Sequence, residues 1–507
     1  MGNRLLAFAL SAIGIVGIDC GAAIAGSAAP SWTGFYAGIS FGQRWDRADW
    51  TTDGFIIPGT PGVSSLFPDT EASLGAARAR LGGYFGYNYQ INNWVLGAEA
   101  DIGRALRDSK SVIGIPGTGT GIALVAGTNL SQTTIDMTWD GSLRARAGYL
   151  VAPDVLVYGT GGIAFQHVGE TILCSAFDPA PTGCGLAGSP DVGSAVNTTL
   201  TGWTVGGGIE ERLGRHWMLR GEYRYSDFGT FNHTFALGPT AIGDVVATTR
   251  FTTHLVTLGL AYKFGAPAAI DDPPAEMRVK ARAVAPSWTG FHVGLALGAR
   301  RTTADWITTS LTFGGIPNAD NVASFDGIRF RGGGYAGYDH QLGRMVLGFE
   351  VGAGTTDNGA KSKPGVPGLG GMIVPGPDMT SVRTGWDASA VVRIGYLVAP
   401  DVLLYGTGGI AAQRITLNAL CTAASLECFF DENESFSTTR SGPVWGGGIE
   451  AMIARHWQVR MDYRIADFGN VDHTFFVAEP FQSPTTTTAI RTQTATVGIA
   501  YRFGPEP

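Results

Sequence analysis

Val256-Thr257-Leu258-Gly259-Leu260-Ala261-Tyr262-Lys263-Phe264 is the stretch that decides the fold. Val256, Leu258, Leu260, Tyr262 and Phe264 share one face, and Thr257, Gly259, Ala261 and Lys263 share the other. A strict period of two is the signature of a β-strand, whose successive side chains leave opposite faces. The pattern returns near the end of the chain, with Val497, Ile499, Tyr501 and Phe503 set against Thr496, Gly498, Ala500 and Arg502.

The repetition extends outward from these two strands. Ser31-Trp32-Thr33-Gly34-Phe35 returns as Ser287 to Phe291, and Ala48-Asp49-Trp50 as Ala304-Asp305-Trp306. Gly148 to Leu156 reappears unchanged as Gly395 to Leu403, and Tyr158 to Ala164 as Tyr405 to Ala411. Gly206 to Glu210 pairs with Gly446 to Glu450, and Arg215-His216-Trp217 with Arg455-His456-Trp457. The offset shrinks from 256 (Ser31 to Ser287) to 239 (Phe264 to Phe503), and all the slack falls between matched segments. Such a duplication defines two units, 31–264 and 287–503. Between them, 265–286 carries Pro267, Pro273, Pro274 and Pro286 with mixed charges, the composition of an extended linker, here expected in the periplasm.

Each unit divides into eight candidate strands, in the first at about 32–45, 76–90, 93–104, 135–151, 154–168, 199–213, 215–228 and 250–264. Asn92-Asn93, Ala152-Pro153 and Gly214-Arg215 mark tight turns, while the other breaks are long and rich in Gly, Pro, Ser, Thr and Asp. Short turns at one end and long loops at the other are the asymmetry of a barrel that spans the outer membrane.

Composition agrees. The 507 residues include 75 glycines; 44% are hydrophobic, only 15% are charged, and the net charge is −7. No internal run approaches the roughly 18–20 apolar residues of a membrane helix. No basic face offers itself to nucleic acid. In strand seven Arg220, Glu222 and Arg224 oppose Leu219, Gly221, Tyr223 and Tyr225, and in strand four Arg144 and Arg146 oppose Leu143, Ala145 and Tyr149. A soluble sandwich also alternates, but charges of both signs mixed with glycines on the polar side suit the inside of a small barrel. The Gly159-Thr160-Gly161-Gly162 run leaves strand five without an orientation.

Residues 1–25 read as a signal peptide, with Arg4, an apolar Leu5–Ile18 core and a small-x-small site at Ala23-Ile24-Ala25. Ser27-Ala28-Ala29 offers a second site, and Gly17-Ile18-Asp19 before Cys20 is a poor lipobox.

The Trp32-Thr33-Gly34-Phe35-Tyr36 opening, Gly86-Tyr87-Asn88 and the closing Tyr-x-Phe resemble the alphaproteobacterial small porin-like, or opacity-type, outer-membrane proteins. The resemblance covers both copies. It implies an eight-stranded barrel inserted by the barrel assembly machinery, which reads a final strand ending in an aromatic residue. It further implies structural, surface-antigen or weak pore roles. Two features depart from the pattern: members usually carry one unit, and here Gly504-Pro505-Glu506-Pro507 follows Phe503.

Candidate site residues are few. Glu99, Glu350, Glu210, Glu450, Arg144, Arg146 and Arg393 face inward at recurring positions, either as a selectivity filter or as a salt-bridge network filling a barrel too narrow to conduct. The network is the favoured reading. Cys174 with Cys184, and Cys421 with Cys428, fall in the third long loop of each unit at spacings of ten and seven. Those spacings do not form a repeated metal pattern, and an oxidising periplasm makes two loop disulfides the expectation. His216 and His456 lie at a tight turn beside Trp217 and Trp457; His233 and His473 are assigned to the fourth loop. Neither pairs with a recurring nucleophile, so no enzyme, cofactor or metal is expected. Gly117–Ser131 and Pro364–Met379 are loops able to meet haem, glycans or host ligands.

The favoured architecture is all-β: two tandem eight-stranded antiparallel transmembrane β-barrels. The expected function is that of an integral outer-membrane protein with a structural or surface-interaction role and at most weak pore activity, in contact with lipid and lipopolysaccharide. One alternative joins all sixteen strands into a general diffusion porin; another is a loop-mediated adhesin or haem-binding protein. Strand pairing decides the first alternative: 256–264 against 32–45 closes unit one, whereas pairing with 288–300 merges the two.

Overall fold

A computed structural model describes residues 31–56, 71–106, 109–116, 131–175, 191–213, 216–237, 243–264, 287–311, 322–356, 361–367, 378–423, 431–453, 456–477 and 483–503. The expected signal peptide, the 265–286 linker, Cys184 and Cys428 lie outside the described residues.

In the first unit the strands are β1 (Gly34–Ile56), β2 (Glu71–Ile91), β3 (Trp94–Ala105), β4 (Ser109–Ile113), β5 (Gln132–Ala152), β6 (Val155–Cys174), β7 (Val192–Leu213), β8 (Trp217–Phe235) and β9 (Asp244–Lys263). The second repeats them as β10 (Gly290–Leu311), β11 (Val322–Leu342), β12 (Met345–Thr356), β13 (Lys361–Pro364), β14 (Met379–Ala399), β15 (Val402–Cys421), β16 (Glu432–Met452), β17 (Trp457–Thr474) and β18 (Pro484–Phe503). The first sheet runs β3-β2-β1-β9-β8-β7-β6-β5-β4, and β3 also pairs β5, so it closes on itself. β3 and β4 occupy successive stretches of the same wall beside β5, which leaves eight strand positions around the ring. The second sheet is built the same way.

Closure settles the choice left open by the sequence. β1 pairs β9 antiparallel from Tyr36↔Lys263 to Ile56↔Asp244, and β10 pairs β18 from Phe291↔Phe503 to Leu311↔Pro484. The sixteen-stranded wall is therefore overturned. Each ring satisfies its own edge hydrogen bonds, as lipid requires, because no water is present there to do so.

The Asn92-Asn93 turn falls where expected, between Ile91 and Trp94. The second turn lies one residue on, at Pro153-Asp154 between the paired Ala152 and Val155, and Gly214-Arg215 lie outside the described residues. Asn92 takes φ 52°, and Gly343 takes φ 65° at the equivalent place, the left-handed conformation that short hairpin loops need. The long-loop ends differ from expectation. β1 reaches Ile56 rather than 45, and β6 reaches Cys174 rather than 168. A membrane strand needs only about 9–11 residues, so these 19–23-residue strands rise well beyond the bilayer. The extensions were read as loops because their Gly, Thr, Ser and Asp content hides the alternation. His233 and His473, expected in loops, stand on β8 and β17 for the same reason. Pro364, the start of one expected loop, pairs Met379 across β13 and β14.

Outward faces are apolar: Ile39 is 66% exposed and Leu295 68%. Aromatic residues ring the short-turn end in contact with one another. Phe35 lies 4.7 Å from Tyr87, Trp94 5.3 Å from Tyr149, and Trp217 5.4 Å from Tyr262; Trp457 and Tyr501 repeat the last pair at 5.3 Å. Such a girdle suits the headgroup level, where amphipathic rings are at home. β6, which the sequence left without orientation, turns Tyr158 and Ala164 inward and Ile163 out to 50% exposure.

Candidate functional site

The lumen of each barrel is filled in three tiers. At the short-turn end, the opening motif makes a plug. Trp32 is buried; its backbone N–H donates to Gln90 Oε1 at 2.7 Å and its indole N–H to the Pro153 carbonyl at 3.2 Å. Thr33 Oγ1 accepts from the Gln90 N–H at 2.9 Å. Gly34 then takes φ 137°, a conformation that suits glycine, to swing the chain from plug to wall. Trp288 reproduces both bonds, to Gln341 Oε1 at 2.9 Å and the Pro400 carbonyl at 3.1 Å, and Gly290 has φ 144°. An arginine lies over each indole, Arg212 at 5.5 Å and Arg502 at 5.3 Å. This explains the repeated Ser-Trp-Thr-Gly-Phe, whose role the sequence did not disclose.

Above the plug lies the charged tier. In the first unit Glu99 accepts from Tyr36 Oη at 2.8 Å, Arg144 at 2.5 Å and Arg220 at 2.6 Å. Arg144 also reaches Glu222 at 2.8 Å, which Tyr158 Oη meets at 2.8 Å, and Arg146 donates to Glu210 at 2.6 Å. A second layer ties Arg80 to Asp140 and Asp101, each at 2.8 Å, and Arg224 to Asp101 at 2.7 Å. Arg44 bridges Asp46 at 3.1 Å and Asp140 at 2.9 Å. Tyrosine faces carry two of the guanidiniums, with Arg220 3.5 Å from the Tyr84 ring centre and Arg146 4.1 Å from that of Tyr158.

The second unit follows the same plan with fewer charges. Glu350 accepts from Arg464 at 2.7 Å and Arg393 at 3.2 Å, and it is also bonded by Arg460. Arg393 pairs Glu450, and Tyr405 Oη donates to Asp462 at 2.9 Å. Asp387 takes Arg300 at 2.7 Å and Arg331 at 2.9 Å. Charges removed from water are tolerable only when paired in this way.

The third tier is apolar and lies toward the long loops. Trp50 stacks on Phe235 at 5.4 Å among Leu74, Ile135, Met137 and Phe251. Trp306 stacks on Phe475 at 5.2 Å in the counterpart cluster. The shared Ala-Asp-Trp motif thus turns Ala and Trp inward and Asp outward.

Every inward residue expected from the sequence is buried in this tier system: Glu99, Glu210, Glu350, Glu450, Arg144, Arg146 and Arg393. Missed were Arg44, Arg80, Asp101, Asp140, Tyr36, Tyr84 and Tyr158, together with both tryptophan plugs. Their signal was present, since Arg80/Arg331, Asp140/Asp387 and Tyr84/Tyr335 recur with inward parity. His216 sits at the turn, stacked on Tyr262 at 5.1 Å, away from Glu222 in the lumen. His473 lies against Phe436 at 4.0 Å and Glu434 at 2.8 Å. Cys174 and Cys421 end the equivalent strands β6 and β15, both buried. Among the described residues no group of His, Cys, Asp and Glu is arranged to hold a metal. Residues 117–130 and 368–377 of the candidate ligand loops lie outside the described residues.

Closed antiparallel rings with apolar exteriors and ion-paired lumens define an outer-membrane β-barrel. The chain belongs to the family described as outer membrane protein beta-barrel domain, whose model matches it twice, over residues 20–264 and 278–503. It is similar to the 31 kDa outer-membrane immunogenic protein of Brucella melitensis biotype 1, at 31% identity over 244 residues, 46% of this chain and 84% of the relative. The 22 kDa outer membrane protein of Rhizobium leguminosarum bv. viciae is 26% identical over 187 residues, 37% of this chain and 67% of that protein. These relatives have about the length of one unit, and this outer-membrane protein carries two. Among solved structures, Ail of Yersinia pestis, in complex with a heparin analogue, covers 46% of this chain and 99% of its own at 14% identity and a TM-score of 0.22. The toluene transporter TodX of P. putida covers 93% and 91% at 9% identity and a TM-score of 0.26. Likenesses at those scores carry no argument about function.

Proposed function

We propose that the protein is a structural and surface-interaction component of the outer membrane, with at most weak pore activity and no enzymatic role. One observation carries this reading: in each barrel a buried arginine–carboxylate network lies between a tryptophan plug and an apolar layer. A conduit needs a continuous polar path, and the tryptophan at one end and the apolar cluster at the other interrupt it. Lipid and lipopolysaccharide are the partners of the apolar exterior, and the barrel assembly machinery is the partner of the closing strands, whose Phe264 and Phe503 point outward. The long-loop ends are then the surface that other molecules meet. The Brucella relatives are called immunogenic, and the same exposure is proposed for these loops. Two local disulfides, Cys174–Cys184 and Cys421–Cys428, would brace them.

Planar-bilayer recording on the refolded chain tests the reading. Little or no conductance is expected, and steady openings on the nanosiemens scale would overturn it. Antibody raised to the loop segments should label intact cells.

A further inference from the structure

We propose that the lumen of the second unit binds a short monocarboxylate, such as acetate, at the place that the Asp101 side chain fills in the first unit. The two units are internal controls for one another. Asp101 stands on β3 between Tyr84 and Ser142, and Gly352 stands on β12 between Tyr335 and Ser389, in the same register. In the first unit the Asp101 carboxylate is held by Arg224 through both terminal nitrogens, at 2.7 and 3.1 Å, and by Arg80 at 2.8 Å. Ser142 Oγ donates the remaining bond.

The second unit keeps all three donors, as Arg464, Arg331 and Ser389, and lacks the carboxylate. A small cavity of about 60 Å3 takes its place, and Arg331, Gly352, Ser389 and Arg464 all line it. Arg331 spends its Nε and one terminal nitrogen on Asp387; its other terminal nitrogen has no partner among the described residues. Arg464 turns toward Glu350 and Asp462, each at 2.7 Å, and meets Ser389 Oγ only at 3.4 Å. Four guanidiniums (Arg300, Arg331, Arg460, Arg464) and three carboxylates (Glu350, Asp387, Asp462) line the cavity. That is the same excess of one positive charge as in the first unit, where Arg44, Arg80, Arg144, Arg220 and Arg224 meet Glu99, Asp101, Asp140 and Glu222; what differs is the unused donors, not the charge. Val391 stands where Arg144 stands in the first unit. That guanidinium serves Glu99 and Glu222 and comes no nearer than 3.8 Å to Asp101, so its loss removes no hydrogen-bond donor from the site.

Nothing in the backbone demands glycine at 352. A Cβ there would meet Gly334 O at 3.4 Å, Tyr335 Cβ at 3.6 Å and Ser389 Oγ at 3.7 Å, ordinary contacts. Three further lining positions have become apolar, with Ala296, Val444 and Ala466 at the positions of Ser40, Thr204 and Ser226, while Gln413, Thr492, Thr494 and Thr496 keep another part of the wall polar. A carboxylate bearing one or two carbons matches that lining, and two guanidiniums with a hydroxyl are the donor set that carboxylate recognition uses.

The test uses the full chain refolded in detergent, with thermal unfolding followed at constant ionic strength as sodium acetate or propionate replaces sodium chloride. Wild type should show a saturable rise in midpoint with acetate. Gly352→Asp, which supplies its own carboxylate, should lose that response. Asp101→Gly should acquire a second, larger acetate response. Absence of any acetate response in wild type, or a response that persists unchanged in Gly352→Asp, overturns the proposal. Should Gly352→Asp fail to refold, Arg331→Gln replaces it: a rise of tenfold or more in the acetate concentration for half-saturation supports the site, and an unchanged value refutes it.

Discussion

Replacing Glu99 by Gln tests the charged tier most directly. The change keeps volume and shape but removes the negative charge and replaces one of the two carboxylate oxygens on which Tyr36, Arg144 and Arg220 converge, at 2.8, 2.5 and 2.6 Å, by an N–H donor. Arg144 retains Glu222 at 2.8 Å, and Arg220 retains the Tyr84 ring at 3.5 Å, so neither guanidinium is wholly abandoned. Removing one partner of a buried ion pair costs about 3–5 kcal/mol. The surviving contacts place the expected loss near the lower end, about 3 kcal/mol. Urea unfolding in detergent micelles, followed by the loss of the heat-modifiable folded band, should therefore show a lower midpoint with bilayer conductance unchanged. Glu350→Gln should act likewise on the second unit, because Arg393, Arg460 and Arg464 converge there. A wild-type midpoint for Glu99→Gln, or a change in ion selectivity without loss of stability, would refute the structural role.

Three further outcomes are expected. Leu295→Arg, on the lipid face, should destabilise the inserted protein by about 2–4 kcal/mol, measured by unfolding from phospholipid vesicles; a neutral effect would contradict a membrane-facing exterior. Gly34→Ala should cost about 1–3 kcal/mol, because alanine rarely adopts φ 137°, and the same midpoint assay checks it. Non-reducing peptide mapping of the exported protein should recover Cys174 linked to Cys184 and Cys421 to Cys428; free thiols at all four sites would sink the loop-disulfide expectation.

Much of the scaffold was legible because its signals are local. Alternation along 256–264 marks a strand and its two faces, Asn92 marks a hairpin, and a matched Gly148–Leu156/Gly395–Leu403 segment marks a copy; each depends only on neighbouring residues. The inward set was half legible. Glu99 and Arg146 announced themselves as charges in apolar surroundings, whereas Tyr36, Tyr84 and Tyr158 carry no charge and suit either face of a strand. The long-loop ends of the strands escaped because residues that stand beyond the membrane need not be apolar on either face.

By itself the sequence determined the strands, the tight turns, the duplication and the polarity of each face. Only the tertiary structure decided that β9 returns to β1 and β18 to β10, because backbone hydrogen bonds at a sheet edge are the same whichever strand supplies them. It also decided the partners within the lumen. Arg224 and Asp101 are brought together across the ring, 123 residues apart along the chain, at a distance no local pattern encodes. The same closure places Trp32 beneath the network and leaves Gly352 facing two arginines where its counterpart carries a carboxylate.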